Sequence, residues 1–276
     1  MRNMYATHPD DFYSLGDEQI NGRFRYSDLF QAGHVHLLHT HHDRMVVGGA
    51  VPEAGQRLEL PVPAELRSPS FTTRRELALF NLGGGSAIVH VGGAQYTLER
   101  EDCLYLGRGE RDISFESPSG EARLYLVSAL SHVSLPDRII RRHDAAHNSA
   151  GDQSTGNARH VRKYLHEDGA PSSQLVVGIT SLDEGNVWNS MPPHTHDRRT
   201  EIYTYFGLGE GNRVQHLMGL PGRPRTFAVG DLGTVVSPSW SMHLGAGSKN
   251  YAFVWAMAGE NQAFTDMDQV PVDGIG

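Results

Sequence analysis

Four side chains of this sequence have the types and the spacing to hold one metal ion. His194 and His196 are separated by one residue, Glu201 follows five residues later, and His243 lies well downstream. Residues two apart on an extended strand point to the same face, so both imidazoles can converge on one ion. Glu201 and His243 would add a carboxylate oxygen and a third imidazole from other strands. Such ligands suit zinc, iron, manganese or nickel, and the lack of a thiolate argues against a closed structural zinc site.

Two further histidine pairs have the same spacing and serve as internal controls. They are His34 with His36 and His39 with His41, and neither has a glutamate four or five residues after its second member. We interpret this second group of histidines as structural or as part of a subunit contact. The sequence therefore predicts one metal ion per chain, on the first set.

Short strand-like segments dominate the sequence and predict an all-β fold. They are rich in β-branched and aromatic residues and are bounded by glycine or polar turns, as in 77–82, 87–91, 123–127, 174–179, 201–206 and 251–255. The 31 glycines also suit many strands joined by tight turns. Helix signals are few and short, such as Asp10 to Leu15 behind His8 and Pro9.

A weak internal repeat predicts two similar barrels. The stretch around residue 74 resembles the stretch around residue 198, and one inserted residue aligns Glu76 with Glu201. In that alignment Thr72 and Thr73 stand near the positions of the histidine pair, and Asp112 stands near that of His243. We expect an N-terminal barrel without metal over 1–143, a polar linker over 144–158 and a metal-binding barrel over 159–276.

Composition excludes several classes of partner. A net charge of −8 argues against nucleic acid, which needs clustered lysine and arginine. The single cysteine, Cys103, excludes an intrachain disulfide framework and fits a reducing compartment. No apolar run is close to the length of about 20 residues that a membrane helix needs, and no secretory leader follows Met1. We therefore expect a soluble, cytoplasmic protein.

The ligand pattern resembles the first and second motifs of the cupin superfamily. The first motif is His-x-His followed by Glu, and Gly230-Asp231 with Pro238 and His243 resembles the second. Trp240 stands where a cupin usually has glycine. The resemblance implies two double-stranded β-helix (jelly-roll) barrels in one chain, with few short helices, and this fold hosts isomerases, dioxygenases, decarboxylases and storage proteins.

Longer segments resemble the 5-keto-4-deoxyuronate isomerase family across nearly the whole chain, including Trp240. These segments are 186–199, 237–243, 255–262, 43–49, 74–77 and 266–268. The resemblance implies conversion of 5-dehydro-4-deoxy-D-glucuronate into 3-deoxy-D-glycero-2,5-hexodiulosonate, a step of pectin and glycosaminoglycan breakdown. It also implies a zinc ion on His194, His196, Glu201 and His243, and a homohexamer. The reaction moves a proton between neighbouring carbons through an enediol, which a chelating metal would stabilise.

Residues that would bind the substrate carboxylate or move the proton are less constrained by the sequence. An arginine or lysine suits the carboxylate, and the candidates near the expected barrel mouth are Arg159, Arg162, Lys163 and Arg198. The base could be a carboxylate, a metal-bound hydroxide, or Tyr203 or Tyr205, which share the face of Glu201 by strand parity. Two other functions remain open, a cupin dioxygenase and a non-catalytic sugar-binding cupin.

Overall fold

The computed structural model describes residues 1–276, and strands make up most of its regular structure. The strands are β1 (Arg2–Met4), β2 (Arg25–Tyr26), β3 (Val35–Thr40), β4 (Val46–Ala50), β5 (Arg57–Glu59), β6 (Arg75–Asn81), β7 (Ala87–Val91), β8 (Ala94–Leu98), β9 (Cys103–Leu106), β10 (Ile113–Glu116), β11 (Leu124–Leu130), β12 (Arg138–Ile140), β13 (Ala146–Ala150), β14 (Arg159–Leu165), β15 (Val176–Leu182), β16 (Trp188–Thr195), β17 (Arg199–Phe206), β18 (Val214–Gly219), β19 (Arg225–Val229), β20 (Thr234–Ser237), β21 (Met242–Gly247), β22 (Ala252–Gly259) and β23 (Asp268–Gln269). The all-β prediction is confirmed.

Helices are confined to a few short segments. They are α1 (Pro9–Ser14), α2 (Asp17–Phe24) and three 3-10 turns, Ala64–Leu66, Gln153–Thr155 and Val272–Gly274. Helix α1 matches the predicted helix, with proline in its first turn and the backbone N–H of Asp10 donating to His8 Nδ1 at 3.2 Å. Neither α-helix has the length or the apolar character needed to cross a membrane.

The first compact unit comprises Met1–Met4, Asp28–Ala145 and Asp168–Leu175. It contains a seven-stranded sheet of order β1-β3-β4-β11-β6-β9-β12 and a four-stranded sheet of order β5-β10-β7-β8. Alternate residues of each strand face the interior, where leucines, valines and Phe115 form one continuous apolar core. Leu77 and Leu79 of β6 belong to this core, so the interior of the unit is filled by hydrocarbon.

The second compact unit comprises Tyr5–Ser27, Ala146–Glu167 and Val176–Gly276. Its seven-stranded sheet has the order β13-β14-β15-β22-β17-β20-β2, and its five-stranded sheet has the order β19-β18-β21-β16-β23. The connectivity from β14 to β22 repeats that from β3 to β11 of the first unit. Its interior differs, because it contains a cluster of aromatic rings, Tyr203, Tyr205, Tyr251 and Phe253.

The bounds of the two units differ from the expected ones at three places. Tyr5–Ser27 packs with the second unit, because β2 pairs with β20 and Phe12 packs on Trp240. Asp168–Leu175 packs with the first unit. Within the segment expected as a linker, β13 pairs with β14. Strand β13 is exposed and polar, so it lacks the apolar alternation by which strands are found in a sequence.

The register of the sheets also changes the alignment of the two halves. Leu77 pairs with Leu106 at the end of β9, as Glu201 pairs with Ser237 at the end of β20. Leu77 therefore corresponds to Glu201, and Glu76 faces away from the barrel interior. At the position where the second unit has the potential ligand Glu201, the first unit has Leu77, which is part of its apolar core.

Glu76 instead anchors the segment that ends at Leu175, and it gives a stability prediction. Its carboxylate accepts backbone N–H groups from Ser173, Gln174 (2.7 Å) and Leu175 (2.8 Å), and the hydroxyl of Tyr105 at 2.7 Å. Glu76→Gln turns an amide N–H₂ toward these donors, so we expect a loss of about 2–4 kcal/mol in the free energy of unfolding.

Differential scanning calorimetry measures this loss as a lower melting temperature. The exposed Glu121→Gln is the matched control, with an expected change within about 0.5 kcal/mol. Equal melting temperatures for the two variants would show that the buried carboxylate does not stabilise the unit.

Candidate metal centre

The four predicted ligands meet at one end of the second barrel. His194 lies on β16, His196 follows that strand, Glu201 lies on β17 and His243 on β21. One candidate ligand atom from each lies within 4.8 Å of the others. Glu201 Oε2 is 3.0 Å from His196 Nε2 and 2.6 Å from His243 Nε2. The four side chains that the sequence spacing singled out therefore lie together.

Strand pairing explains why the distant histidine reaches the pair. Strands β16 and β21 are antiparallel, and His194 is directly opposite His243 in their register. After β16 a tight turn, closed by the bond from Arg199 N to His196 O at 2.8 Å, returns the chain into β17. Glu201 is the third residue of β17 and, like Arg199, points to the interior. Three different strands thus fix the cluster on a rigid frame.

Hydrogen bonds behind the rings set which nitrogen faces the cluster. His196 Nδ1 lies 3.0 Å from the carbonyl oxygen of Asp266, and His243 Nδ1 lies 3.3 Å from that of Ser241. A carbonyl oxygen can only accept, so with the hydrogen on Nδ1 each ring would present the lone pair of its Nε2 to the centre. The buried Arg199 donates to the same Asp266 carbonyl at 2.7 Å and so holds this segment in place.

Burial and charge keep the ligands in the state that binds a cation. Burial, followed by the neighbouring His243 and His196, lowers the pKa of His194 to about 3. Burial alone raises the pKa of Glu201, but His243 and His196 outweigh it, and this pKa lies below its usual range. His194 is therefore neutral and Glu201 is ionised at neutral pH, which are the protonation states of metal ligands.

The donor set itself fits a divalent ion of the first transition series. Three imidazole nitrogens and one carboxylate oxygen converge on one point, and His196, Glu201 and His243 are each less than 5% exposed. Without a cation this buried carboxylate would rely on the imidazoles of His196 and His243 alone for compensation. The chemistry and the burial of these residues agree with a metal site that has borderline ligands and no sulfur.

A cavity of about 260 Å³ opens on this cluster. His194, His196 and Glu201 form part of its wall, and Phe253, Trp255, Met257, Phe264 and Met267 supply apolar surface. The polar residues of the wall include Ser190, Asn148 and Gln269. The volume suits a small organic molecule, with the metal site at its inner end.

Two of the candidate substrate-binding residues line this cavity. Arg159 is its one arginine or lysine; its Nη1 donates to the Asn157 carbonyl at 2.8 Å, and burial lowers its pKa. Tyr203 lies two residues beyond Glu201 on the same face of β17, and its hydroxyl is 2.7 Å from Ser190 Oγ. The cavity wall thus combines the guanidinium of Arg159, the phenol of Tyr203 and side chains of the ligand cluster.

The other candidates lie outside the cavity wall. Lys163 Nζ lies 4.9 Å from the centre of the Phe264 ring, which is part of the wall, but Lys163 itself does not line the cavity. Arg198 binds Asp266 and Asp268 at 2.7–2.9 Å, so its charge is already matched. The hydroxyl of Tyr205 is 2.8 Å from His216 Nδ1 in the barrel interior. Arg162 lies on the opposite face of β14 from Arg159.

Four polar residues of the wall, Asn148, Thr180, Ser190 and Gln269, were missed by the sequence analysis. Ser190 lies inside segment 186–199, which carries the family resemblance, and that segment was its only signal. Asn148 lies on the exposed strand within the expected linker, and Gln269 follows segment 266–268 on β23. Isolated serine, asparagine and glutamine have no spacing rule, so only the fold assigns them to the cavity.

Fold and site together define a two-barrel cupin with a three-histidine, one-glutamate cluster. Residues 27–271 match the model of the KduI/IolB family, and the chain belongs to this family. It is 47% identical over 277 residues to the 4-deoxy-L-threo-5-hexosulose-uronate ketol-isomerase of Kineococcus radiotolerans, covering 99% of each chain. The protein of the same name from Bacillus subtilis is 42% identical, with both chains fully covered.

Solved structures support the fold independently. An IolB-like protein from Salmonella typhimurium superimposes with a TM-score of 0.72 at 18% identity, over 90% of this chain and 96% of the other. The oxalate decarboxylase of Lactobacillus farciminis gives a TM-score of 0.59 at 12% identity, over 87% of each chain. At such identities the likeness concerns the arrangement of strands alone.

Proposed function

We propose that this chain is a metal-dependent aldose–ketose isomerase. It would interconvert 5-dehydro-4-deoxy-D-glucuronate and 3-deoxy-D-glycero-2,5-hexodiulosonate. Relatives named 4-deoxy-L-threo-5-hexosulose-uronate ketol-isomerase match the chain over its full length at 40–47% identity. The observation that carries the proposal is the cavity itself, which places one arginine and one phenol beside the ligand cluster. A six-carbon sugar acid needs a partner for its carboxylate and polar groups at its carbonyl end.

We propose zinc as the ion, one per chain, on His194, His196, Glu201 and His243. When bound, it would act as a Lewis acid that polarises the carbonyl and the adjacent hydroxyl of the substrate. The support is the donor set of three imidazoles and one carboxylate without thiolate. The apolar core around Leu77 supports the assignment of a single metal site, in the second unit.

Arg159 is the residue we propose to bind the substrate carboxylate. It lines the cavity together with the cluster, and no lysine or other arginine shares the wall. A guanidinium binds a carboxylate through two parallel hydrogen bonds and so fixes orientation as well as position. With the carboxylate held there, the aldehyde end of the substrate would face the histidines of the same cavity.

Tyr203 and Ser190 are the residues we propose to handle the oxygen-bound proton. Isomerisation moves one proton from carbon to carbon and one from the hydroxyl oxygen to the former carbonyl oxygen, so the total is unchanged. The Tyr203 hydroxyl and Ser190 Oγ form a donor–acceptor pair at 2.7 Å on the cavity wall. Such a pair can donate to one oxygen and accept from the other, and the apolar rings opposite limit the access of water.

Tyr203→Phe tests this assignment. The phenyl ring keeps its contacts with Phe253 and His243, while the hydroxyl is lost. We expect kcat to fall about 10–100-fold with little change in KM, since the hydroxyl acts on the transition state. The control is Tyr205→Phe, two residues further on the same face, whose hydroxyl bonds His216 outside the cavity. Equal kcat values for the two variants would remove Tyr203 from the mechanism.

The family resemblance also supports a homohexamer in the cytoplasm, which we propose on that ground. Sedimentation velocity of the metal-loaded protein tests the assembly, with one species of six chains expected. A monomer at all concentrations would contradict it.

A comparison of turnover in air and under nitrogen separates the isomerase from a cupin dioxygenase. The zinc-loaded protein should convert the uronate at the same rate in both, without consuming oxygen. A non-catalytic sugar-binding protein would bind the uronate without turnover. Either oxygen dependence or binding without conversion would overturn the proposal.

A further inference from the structure

A second cavity, in the first unit, collects arginines that the metal centre does not use. Its volume is about 200 Å³, and its wall includes Arg44, Arg74 and Arg75. Segments 43–49 and 74–77 are among those that carry the family resemblance, yet neither contributes to the metal centre. They meet here, where the turn from β3 to β4 lies beside the start of β6, and both contribute residues to the cavity wall.

Arg75 is the innermost cation of this cavity. It is 4% exposed and points to the same face of β6 as the core residue Leu77. Its Nε donates to Ser128 Oγ at 3.0 Å, and its Nη2 donates to the carbonyl oxygens of Arg44 at 2.5 Å and Ser128 at 3.2 Å. These bonds fix the guanidinium plane and leave Nη1 without a hydrogen bond. A buried cation held in this way without an anion is costly.

Other arginines of the same unit show what is missing at Arg75. Arg111 is paired with Asp137 through bonds of 2.7 and 2.8 Å, and Arg142 with Glu101 at 2.7 Å. Arg75 is more deeply buried than either of them, yet no carboxylate pairs with it. The fold supplies neutral acceptors on one edge of its guanidinium and leaves the other edge toward the cavity.

The charge around the cavity is positive. The side chains of Arg44 and Arg74 form no ion pair, and both are exposed at the rim. Burial, followed by the charge of Arg75, lowers the pKa of His39 to about 4, so this ring is neutral at neutral pH. Glu65 is the one carboxylate of the wall, which leaves a net charge of +2 from three guanidiniums and one carboxylate.

We propose that this cavity binds a small oxyanion, either the carboxylate of an organic acid or a phosphate. Arg75 would contact it from below and Arg44 and Arg74 from the rim, a geometry suited to a planar or tetrahedral anion. Leu66, Phe71 and Leu130 line the remaining wall and fit the carbon skeleton of an organic acid. The site is separate from the metal centre and does not depend on the proposed isomerase activity.

Isothermal titration calorimetry on the metal-loaded protein tests this site with two probes, D-glucuronate and inorganic phosphate. The test variant is the double exchange Arg44→Gln with Arg74→Gln, because both side chains are exposed and their loss leaves the core intact. The control is Arg138→Gln, an exposed arginine of the same unit outside the cavity. We expect the double variant to bind at least one probe about tenfold more weakly or worse, and the control to match the wild type.

The two probes also identify the source of the oxyanion. Loss of glucuronate binding in the double variant supports an organic acid, and loss of phosphate binding alone supports phosphate. Identical titrations for the wild type, the double variant and the control would overturn the proposal, because any binding would then reside elsewhere. Absence of saturable binding of either probe up to about 10 mM would overturn it as well.

Discussion

His243→Ala is expected to remove the metal ion and with it all isomerase activity. The variant loses one of four ligands and leaves Glu201 paired only with His196, at 3.0 Å. Since even a residue behind a ligand changes metal affinity about 10–100-fold, the loss of a ligand should cost at least about 100-fold. Elemental analysis after dialysis should find the wild type loaded with one ion per chain and the variant nearly empty.

His216→Asn is the matched control for this variant. His216 is also buried in the second unit, on the strand next to His243, but it bonds Tyr205 and is not part of the cluster. It should retain the metal even where its melting temperature falls. Full metal content in His243→Ala would contradict the assigned ligand set, whatever the activity of the variant.

Arg159→Met should weaken substrate binding strongly without affecting the metal. The change removes the charge that we assign to the substrate carboxylate and keeps much of the aliphatic chain. A charge-assisted, two-bond contact is worth about 2–4 kcal/mol, so kcat/KM should fall about 30–1,000-fold, mainly through KM. Steady-state kinetics over a wide range of uronate concentration measures both parameters.

Arg162→Met is the control for that effect. It makes the same chemical change three residues away on β14, on the face that does not line the cavity. Its kcat/KM should stay within about twofold of the wild type. Equal losses in the two variants would place the carboxylate elsewhere, and a loss of kcat alone in Arg159→Met would assign this residue to the chemical step.

The ligand cluster was accessible from the sequence because its spacing is local. His194, His196 and Glu201 lie within eight residues, and two-residue alternation on a strand is enough to predict that the two rings converge. His243 needed a second motif, since its approach depends on the antiparallel register of β16 and β21. The long segments around these residues then indicated the family.

The residues that shape the cavity were less accessible because tertiary packing places them. Arg159 and Tyr203 were two of several equivalent candidates until the fold separated them from Lys163, Arg198 and Tyr205. Chain order suggested that residues before 144 form one barrel, yet β2 completes a sheet of the second unit. The sequence repeat aligned Glu76 with Glu201, whereas the sheet register shows that Leu77 is the residue that corresponds to Glu201. A shift of one residue along a strand moves each side chain to the other face of the sheet.

The most direct test of the proposed reaction is an NMR measurement on the zinc-loaded protein. The substrate is the product of an unsaturated uronide hydrolase, which supplies 5-dehydro-4-deoxy-D-glucuronate. Signals of its aldehyde carbon should give way to those of the hydroxymethyl group of 3-deoxy-D-glycero-2,5-hexodiulosonate, and the same equilibrium should be reached from either side. No conversion by protein that carries one metal ion per chain would contradict the account.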